Sequence, residues 1–264
     1  MTWKPYSRVS ARVLCYHAIG TGTTELSVTR TDFERQMNEV AERYAPVDLR
    51  TFRTAQHDPS TWPENAVLVT FDDALACVFS DAFPVLERLR IPFTVFVPTA
   101  FVAGMFPIEA DRLPTLSWSQ ILQLVDSGRV VCGSHTRYHR LLTETSEQEC
   151  KDELLGSKHE LEDHTGTECF AFCYPRCRVD ARSMRRVRQA GYECAFGATG
   201  RISFGTPLMR LRRLQIERGH DLAAFRNLLR ERRYPMRSRL EDIIWGYQSS
   251  AWAEAHAGRP APRL

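Results

Sequence analysis

Val67-Leu68-Val69-Thr70-Phe71-Asp72-Asp73 is the stretch on which the fold turns. Five residues of strand length and strand composition run without a break into two carboxylates. A continuous apolar run, rather than an alternating one, marks a strand covered on both faces, as in a parallel sheet packed between helices. Two adjacent carboxylates at the end of a buried strand repel one another and lose hydration. A cation close by removes that objection. The plainer alternative is an N-cap and a turn residue for the next helix, which Asp also serves well.

Outward from this stretch the same alternation repeats. Val13-Leu14-Cys15-Tyr16 precedes it as a strand, and Phe93-Thr94-Val95-Phe96-Val97, Val130-Val131-Cys132, Phe170-Ala171-Phe172-Cys173, Cys194-Ala195-Phe196 and Leu211 to Ile216 follow. Between them lie helical patterns. One opens at a capping box of Thr31 with Glu34, one at Ser117 with Gln120, and one at Ser146 with Glu149 that closes near Gly166. Others carry Ala82, Phe83, Val85, Leu86 and Leu89, or Leu222, Phe225, Leu228 and Leu229. Seven strands separated by helices argue for a parallel sheet, since parallel neighbours need crossover connections. Seven in one series point to a closed or nearly closed barrel. The pattern breaks down beyond about Arg233, where residues 240–252 have the spacing of an amphipathic helix.

In such folds reactive groups gather at the carboxyl ends of the strands. His17 follows the first strand, Asp72-Asp73 the second, Ser134-His135-Thr136 the fourth and Tyr174-Pro175-Arg176 the fifth. His139 lies four residues after His135, a spacing that on one helical turn aims two imidazoles the same way. His135, His139 and one Asp make a two-histidine, one-carboxylate site, and the second Asp is free to act as a base. The Cys169, Cys173 and Cys177 row does not make a compact cluster, because residues four apart on a strand lie about 13 Å apart.

Composition narrows the setting. Residues 176–264 carry 19 arginines, no lysine and eight acids, a charge of +11, while residues 1–175 carry −8. Solvated helix faces explain most such runs, and a basic surface for a phosphate-bearing substrate or an anionic membrane is the functional alternative. The scattered cysteines read as buried thiols of a reducing compartment. The N-terminal residues have no apolar run of signal-peptide length. An intracellular, cytoplasmic protein is therefore expected, with no nucleic-acid partner.

Thr70-Phe71-Asp72-Asp73 followed by Ser134-His135-Thr136-Arg137-Tyr138-His139 resembles the first two motifs of the polysaccharide deacetylases, the NodB-homology carbohydrate esterases of family four. Phe172-Cys173-Tyr174-Pro175 is similar to one form of the third motif, and Leu14-Cys15-Tyr16-His17 to an N-terminal element of many members. The resemblance implies an α/β fold, a distorted (β/α)7 barrel, over residues 9–232, with residues 233–264 as a C-terminal tail. It implies one divalent ion, Zn2+ in most members, on Asp73, His135 and His139. Asp72 would be the base, the Tyr174 N–H would help hold the oxyanion, and Thr136 would steady the histidine loop. Thr136, Pro175, Arg176 and Arg213 are the expected substrate-side residues, with Arg213 neighbouring Asp72.

The chain departs from the family pattern in four places. Ala74 stands where Gly usually follows the Asp pair, Arg176 follows Pro175 instead of preceding it, and no Asp-Trp pair supplies the fourth motif. Leu211-Arg212-Arg213-Leu214-Gln215-Ile216 lacks the usual Leu-x-His, so the general acid must come from elsewhere. His17 is the first candidate and His220 the second. The expected activity is removal of an N-acetyl group from an amino sugar or a glycan or glycan precursor, phosphate- or lipid-linked carriers included. A deformylase or amidase on a non-sugar C–N bond, and a non-catalytic glycan-binding barrel, stay open at this point.

Overall fold

The computed structural model describes residues 5–230, so the expected tail and the amphipathic spacing over 240–252 lie outside the described residues. The strands of the barrel are β1 (Arg12–Tyr16), β2 (Ala66–Phe71), β3 (Phe93–Val97), β4 (Val130–Ser134), β5 (Ala171–Cys173), β6 (Cys194–Thr199) and β7 (Leu211–Gln215). All run parallel, each beside its neighbour in this order. The sheet closes because β1 joins both ends, five residue pairs from Arg12↔Val67 to Tyr16↔Phe71 on one side and Leu14↔Leu214 on the other.

Closure is uneven. The β4–β5 seam rests on Phe172↔Ser134, and the β6–β7 ladder shifts register between Phe196 and Ala198. These are the distortions of the barrel. Ala45–Pro46 adds a short spur beside Ala66–Val67. Every residue of β2 and β3 is buried, which is why both read as unbroken apolar runs.

The helices are α1 (Arg30–Arg43), α2 (Leu49–Ala55), α3 (Phe83–Arg88), α4 (Trp118–Asp126), α5 (Glu147–Thr165), α6 (Ala181–Gln189) and α7 (Leu222–Arg230). The capping boxes at Ser117–Gln120 and Ser146–Glu149 form as expected, and Gly166 ends α5 at φ 64°. The cap of α1 is two residues earlier than the sequence reading places it. Thr29 accepts the Asp32 N–H at 3.0 Å, and Thr31 lies inside the helix. None of the described helices is long and apolar enough to cross a membrane.

Two features over the carboxyl end of the barrel were not expected. Met105–Ile108 and Asp111–Pro114 pair as an antiparallel hairpin, and Ala18–Ile19 pairs with Ser27–Val28. The hairpin packs through Phe106, Ile108 and Leu113 into a small apolar cluster with Ala18 and Leu75.

Candidate active site

Asp72 follows β2 directly, its N–H donating to the Tyr16 carbonyl at 3.0 Å. Its carboxylate is gripped by Arg213 of β7 in a two-point fork, Nη1 to Oδ1 and Nη2 to Oδ2, both 2.6 Å. Arg213 also donates to Thr70 Oγ1 at 3.2 Å and to Cys173 Sγ at 3.0 Å, and its guanidinium lies 5.6 and 5.8 Å from the ring centroids of Phe96 and Phe196, which neighbour one another at 5.5 Å. The Cys15 and Cys173 thiols face Asp72 Oδ2 at 3.7 and 3.5 Å. Burial alone would push the Asp72 carboxyl up. The Arg213 charge and hydrogen bonds together outweigh burial and hold it well below the usual carboxylate range.

Asp73 is the opposite case. Burial, then the Asp72 charge, pushes its carboxyl well above the usual range, and its Oδ1 has no hydrogen-bond partner. His135 Nε2 lies 3.5 Å and His139 Nε2 3.6 Å from that atom. Zinc held tetrahedrally by bonds of about 2.0–2.1 Å sets its ligand atoms roughly 3.4 Å apart, so these separations fit one ion. His135 Nδ1 is fixed by the Cys173 carbonyl at 2.8 Å, which leaves Nε2 with its lone pair toward Asp73. Burial lowers the pKa of both imidazoles, with His135 adding to the effect on His139, and so keeps them in the neutral form that ligates. An orphaned buried oxygen beside two neutral imidazoles is a donor set that fits a divalent cation.

The two histidines do not share a helical turn, as their spacing had implied. Residues 135–140 are a loop in which Thr136 and His139 take left-handed φ of 63° and 54°. The loop brings the ring centroids to 4.7 Å, and Phe106 of the hairpin packs edge-on against His139 at 5.0 Å. Glu153 of α5 holds it from below, its buried carboxylate accepting the Arg137 and Tyr138 N–H groups at 2.8 and 2.9 Å. Asp73 and Ala74 are left-handed too, with φ of 66° and 48°. The turn after the Asp pair thus accommodates a Cβ where glycine would be unstrained.

Among the described residues, two other side-chain groups have metal-like spacing, Cys15–His17–Asp72 and Asp72–His135–Cys173. Both depend on Asp72, whose two oxygens already face the Arg213 guanidinium, so a second cation there would meet a first. Asp73–His135–His139 is the group without that conflict.

All of this opens into a cleft of about 580 Å³ lined by His17, Asp72, Asp73, His135, His139 and Arg176 among others. His17 Nε2 lies 3.9 Å from Asp72 Oδ2. Burial pulls its pKa down to about 4 against the opposing Asp72 charge. Glu109, at the hairpin turn, also lines the cleft. Sequence reasoning missed Cys15, Phe106, Glu109 and Glu153, and only Cys15, two residues before His17 at a strand end, carried a signal in the sequence.

Several expected roles need correction. The Tyr174 N–H donates to the Phe196 carbonyl at 2.9 Å as part of the β5–β6 ladder, so it is not available to an oxyanion. Thr136 and Pro175 are buried and do not border the cleft. The Thr136 hydroxyl has no partner, and its residue steadies the loop through the backbone, by Ser134 Oγ at 3.2 Å. Arg213 borders the cleft but is engaged with Asp72. His220 lies off the cleft, its Nδ1 accepting the Glu217 N–H at 2.9 Å. Arg176 does border the cleft.

The polysaccharide deacetylase family model matches residues 60–195. YxkH of Bacillus subtilis, a protein named for that family, is 25% identical over 220 residues, 81% of this chain and 74% of its own. A poly-beta-1,6-N-acetyl-D-glucosamine N-deacetylase of Staphylococcus epidermidis is 23% identical over 215 residues, 72% of this chain and 73% of its own. Among solved structures, a polysaccharide deacetylase of Bacillus cereus superposes with a TM-score of 0.71 at 27% identity, covering 84% of this chain and 69% of its own.

Proposed function

The chain belongs to the polysaccharide deacetylase family, and from that premise we propose that it is a metal-dependent hydrolase removing an N-acetyl group from an amino sugar in a glycan or glycan precursor. The observation that carries the reading is the convergence of Asp73, His135 and His139 on one point, with Asp72 beside them and engaged elsewhere. The Staphylococcus epidermidis relative is named for the same chemistry on a polymer of N-acetylglucosamine, which supports the substrate class.

Asp73, His135 and His139 would hold the ion, Zn2+ by preference, since two imidazoles and one carboxylate suit it. When bound, the ion supplies Lewis acidity toward the acetyl carbonyl and acidifies an attacking water from 15.7 toward about 7. Asp72, kept ionised by Arg213, is in the form that accepts the proton of that water. The same guanidinium makes the proton weakly held, so Asp72 passes it on readily. His17 is neutral at neutral pH and cannot donate at the outset. At 3.9 Å from Asp72, a span that one bridging water covers, it would take the proton from Asp72 and deliver it to the departing nitrogen, which otherwise would leave as an unstable amide anion. All eight cysteines are free thiols, seven of them buried, which supports a reducing compartment such as the cytoplasm.

The test is acetate release from N-acetylated chito-oligosaccharides by chelator-stripped protein with and without restored Zn2+. Release requires the ion, and Asp72→Asn lowers it by roughly 10²–10⁴-fold, the usual worth of a positioned base. An Asp72→Asn protein as active as wild type contradicts the assignment. Formate release from N-formyl substrates in place of acetate would make the acyl group, not the mechanism, wrong.

A further inference from the structure

A second cavity of about 370 Å³ adjoins the cleft and shares two residues with it, His139 and Arg176. Its remaining wall is Arg140, Leu141, Glu144, Thr145 and Glu149. Among the described residues, the guanidiniums around this mouth are already paired, with one exception. Arg213 is on Asp72 at 2.6 Å, Arg140 on Glu149 at 3.1 Å and Arg137 on Glu160 at 2.5 Å. Among the described residues no carboxylate lies within ion-pair distance of Arg176, whose side chain is exposed at the junction of the two cavities.

The backbone holds it there at a cost. Tyr174-Pro175-Arg176-Cys177 is a turn closed by the Cys177 N–H on the Tyr174 carbonyl at 3.1 Å, with Arg176 at φ 53° and ψ 26°. Glycine or asparagine would take that position with less strain. Strained residues that persist at the rim of a site point to a use for the side chain. Arg176 lines the same cleft as Asp73, His135 and His139. With a divalent ion in place, the cleft lining sets two guanidiniums and that ion against the carboxylates of Asp72, Asp73 and Glu109, a net positive charge of one.

We infer that Arg176 forms an anion-binding subsite in the same cleft as the deacetylation centre, for a phosphoryl or carboxylate group carried by the substrate. The inference rests on the sugar reading given above. A planar guanidinium meets either oxyanion with two parallel hydrogen bonds, and the positive surplus of the cleft adds long-range attraction.

Calorimetric titration of the Zn2+-loaded full chain with N-acetylglucosamine, its 1-phosphate and N-acetylmuramic acid tests this. At least one anionic sugar binds about tenfold or more tightly than the neutral one, and sodium chloride shrinks the gap. The phosphate and carboxylate arms identify which group is used. Arg176→Gln abolishes the gap and Arg176→Lys, which keeps the charge without the fork, retains part of it. Equal affinity for neutral and anionic sugars overturns the subsite and leaves the sugar reading standing. A gap that survives Arg176→Gln also overturns it, since coordination by the ion alone would give that result. Binding of none of the three sinks both.

Discussion

Asp72 and Asp73 are neighbours in sequence and opposites in chemistry. One is paired at both oxygens by Arg213, and the other has a buried oxygen with no partner. Arg213→Met leaves the Asp72 charge buried and alone, and removing one partner of such a pair costs about 3–5 kcal/mol. The cost depends on pH in a defined direction. Asp72 has a folded pKa below its unfolded value of about 3.9. Its contribution is therefore present above that value and lost as the pH falls through the folded one. In the variant, burial unopposed by Arg213 raises the folded Asp72 pKa above its unfolded value, so the penalty is full above that raised pKa and is relieved as the pH falls from there toward about 4, and the stability gap between variant and wild type narrows over that range. Urea denaturation at pH 7 and near pH 4 measures it, and a gap unchanged or wider at low pH contradicts this account. The sequence made Asp72, Asp73, His135 and His139 legible because each stands directly after, or just beyond, a buried strand. Spacing alone does not divide the labour of the Asp pair; the family resemblance did, and the physical cause of the division is Arg213, 141 residues away.

At the scale of elements, α5 does more than cover the barrel. The Glu153 carboxylate accepts two consecutive N–H groups of the loop that joins His135 to His139. Glu153→Gln keeps the volume and loses the charge, and one of its two oxygens becomes a donor facing donors. We expect the apparent Zn2+ affinity to fall by about 10–100-fold, as for other groups that orient ligands from behind. Competition with a chromophoric chelator measures this, and an unchanged affinity together with an unchanged melting temperature would remove Glu153 from the account. Helix α5 itself was readable from Ser146, Glu149 and Gly166, because local caps decide local boundaries. The loop it holds was not. The His135–His139 spacing suits a helix, and the left-handed residues at 136 and 139 come from tertiary contacts, Glu153 included. The hairpin over the site was hidden for another reason. Met105-Phe106-Pro107-Ile108 is four residues long and contains a proline, which gives a weak strand signal.

For the whole molecule, the parallel barrel was legible because its strands are buried on both faces and separated by helical patterns. Its distortions at β4–β5 and β6–β7 were not, since a register shift leaves no mark in composition. Closure matters to function because the site is drawn from widely separated parts of the chain. His17 follows β1, Asp72 and Asp73 follow β2, the histidine loop follows β4 and Arg213 lies on β7. An ion bound only by the folded barrel stabilises all of it at once, by about 2.7 kcal/mol at a free concentration one hundred times Kd. The barrel fold and a chain of this family can both exist without that ion in that place, so its location is the claim everything else depends on. Elemental analysis of metal per chain in wild type, Asp72→Asn, Asp73→Asn, His135→Ala and His139→Ala tests it most directly. One ion per chain in wild type and Asp72→Asn, with loss in the other three, is the predicted result. Loss of the ion in Asp72→Asn, or its retention in the Asp73 and His variants, would contradict it.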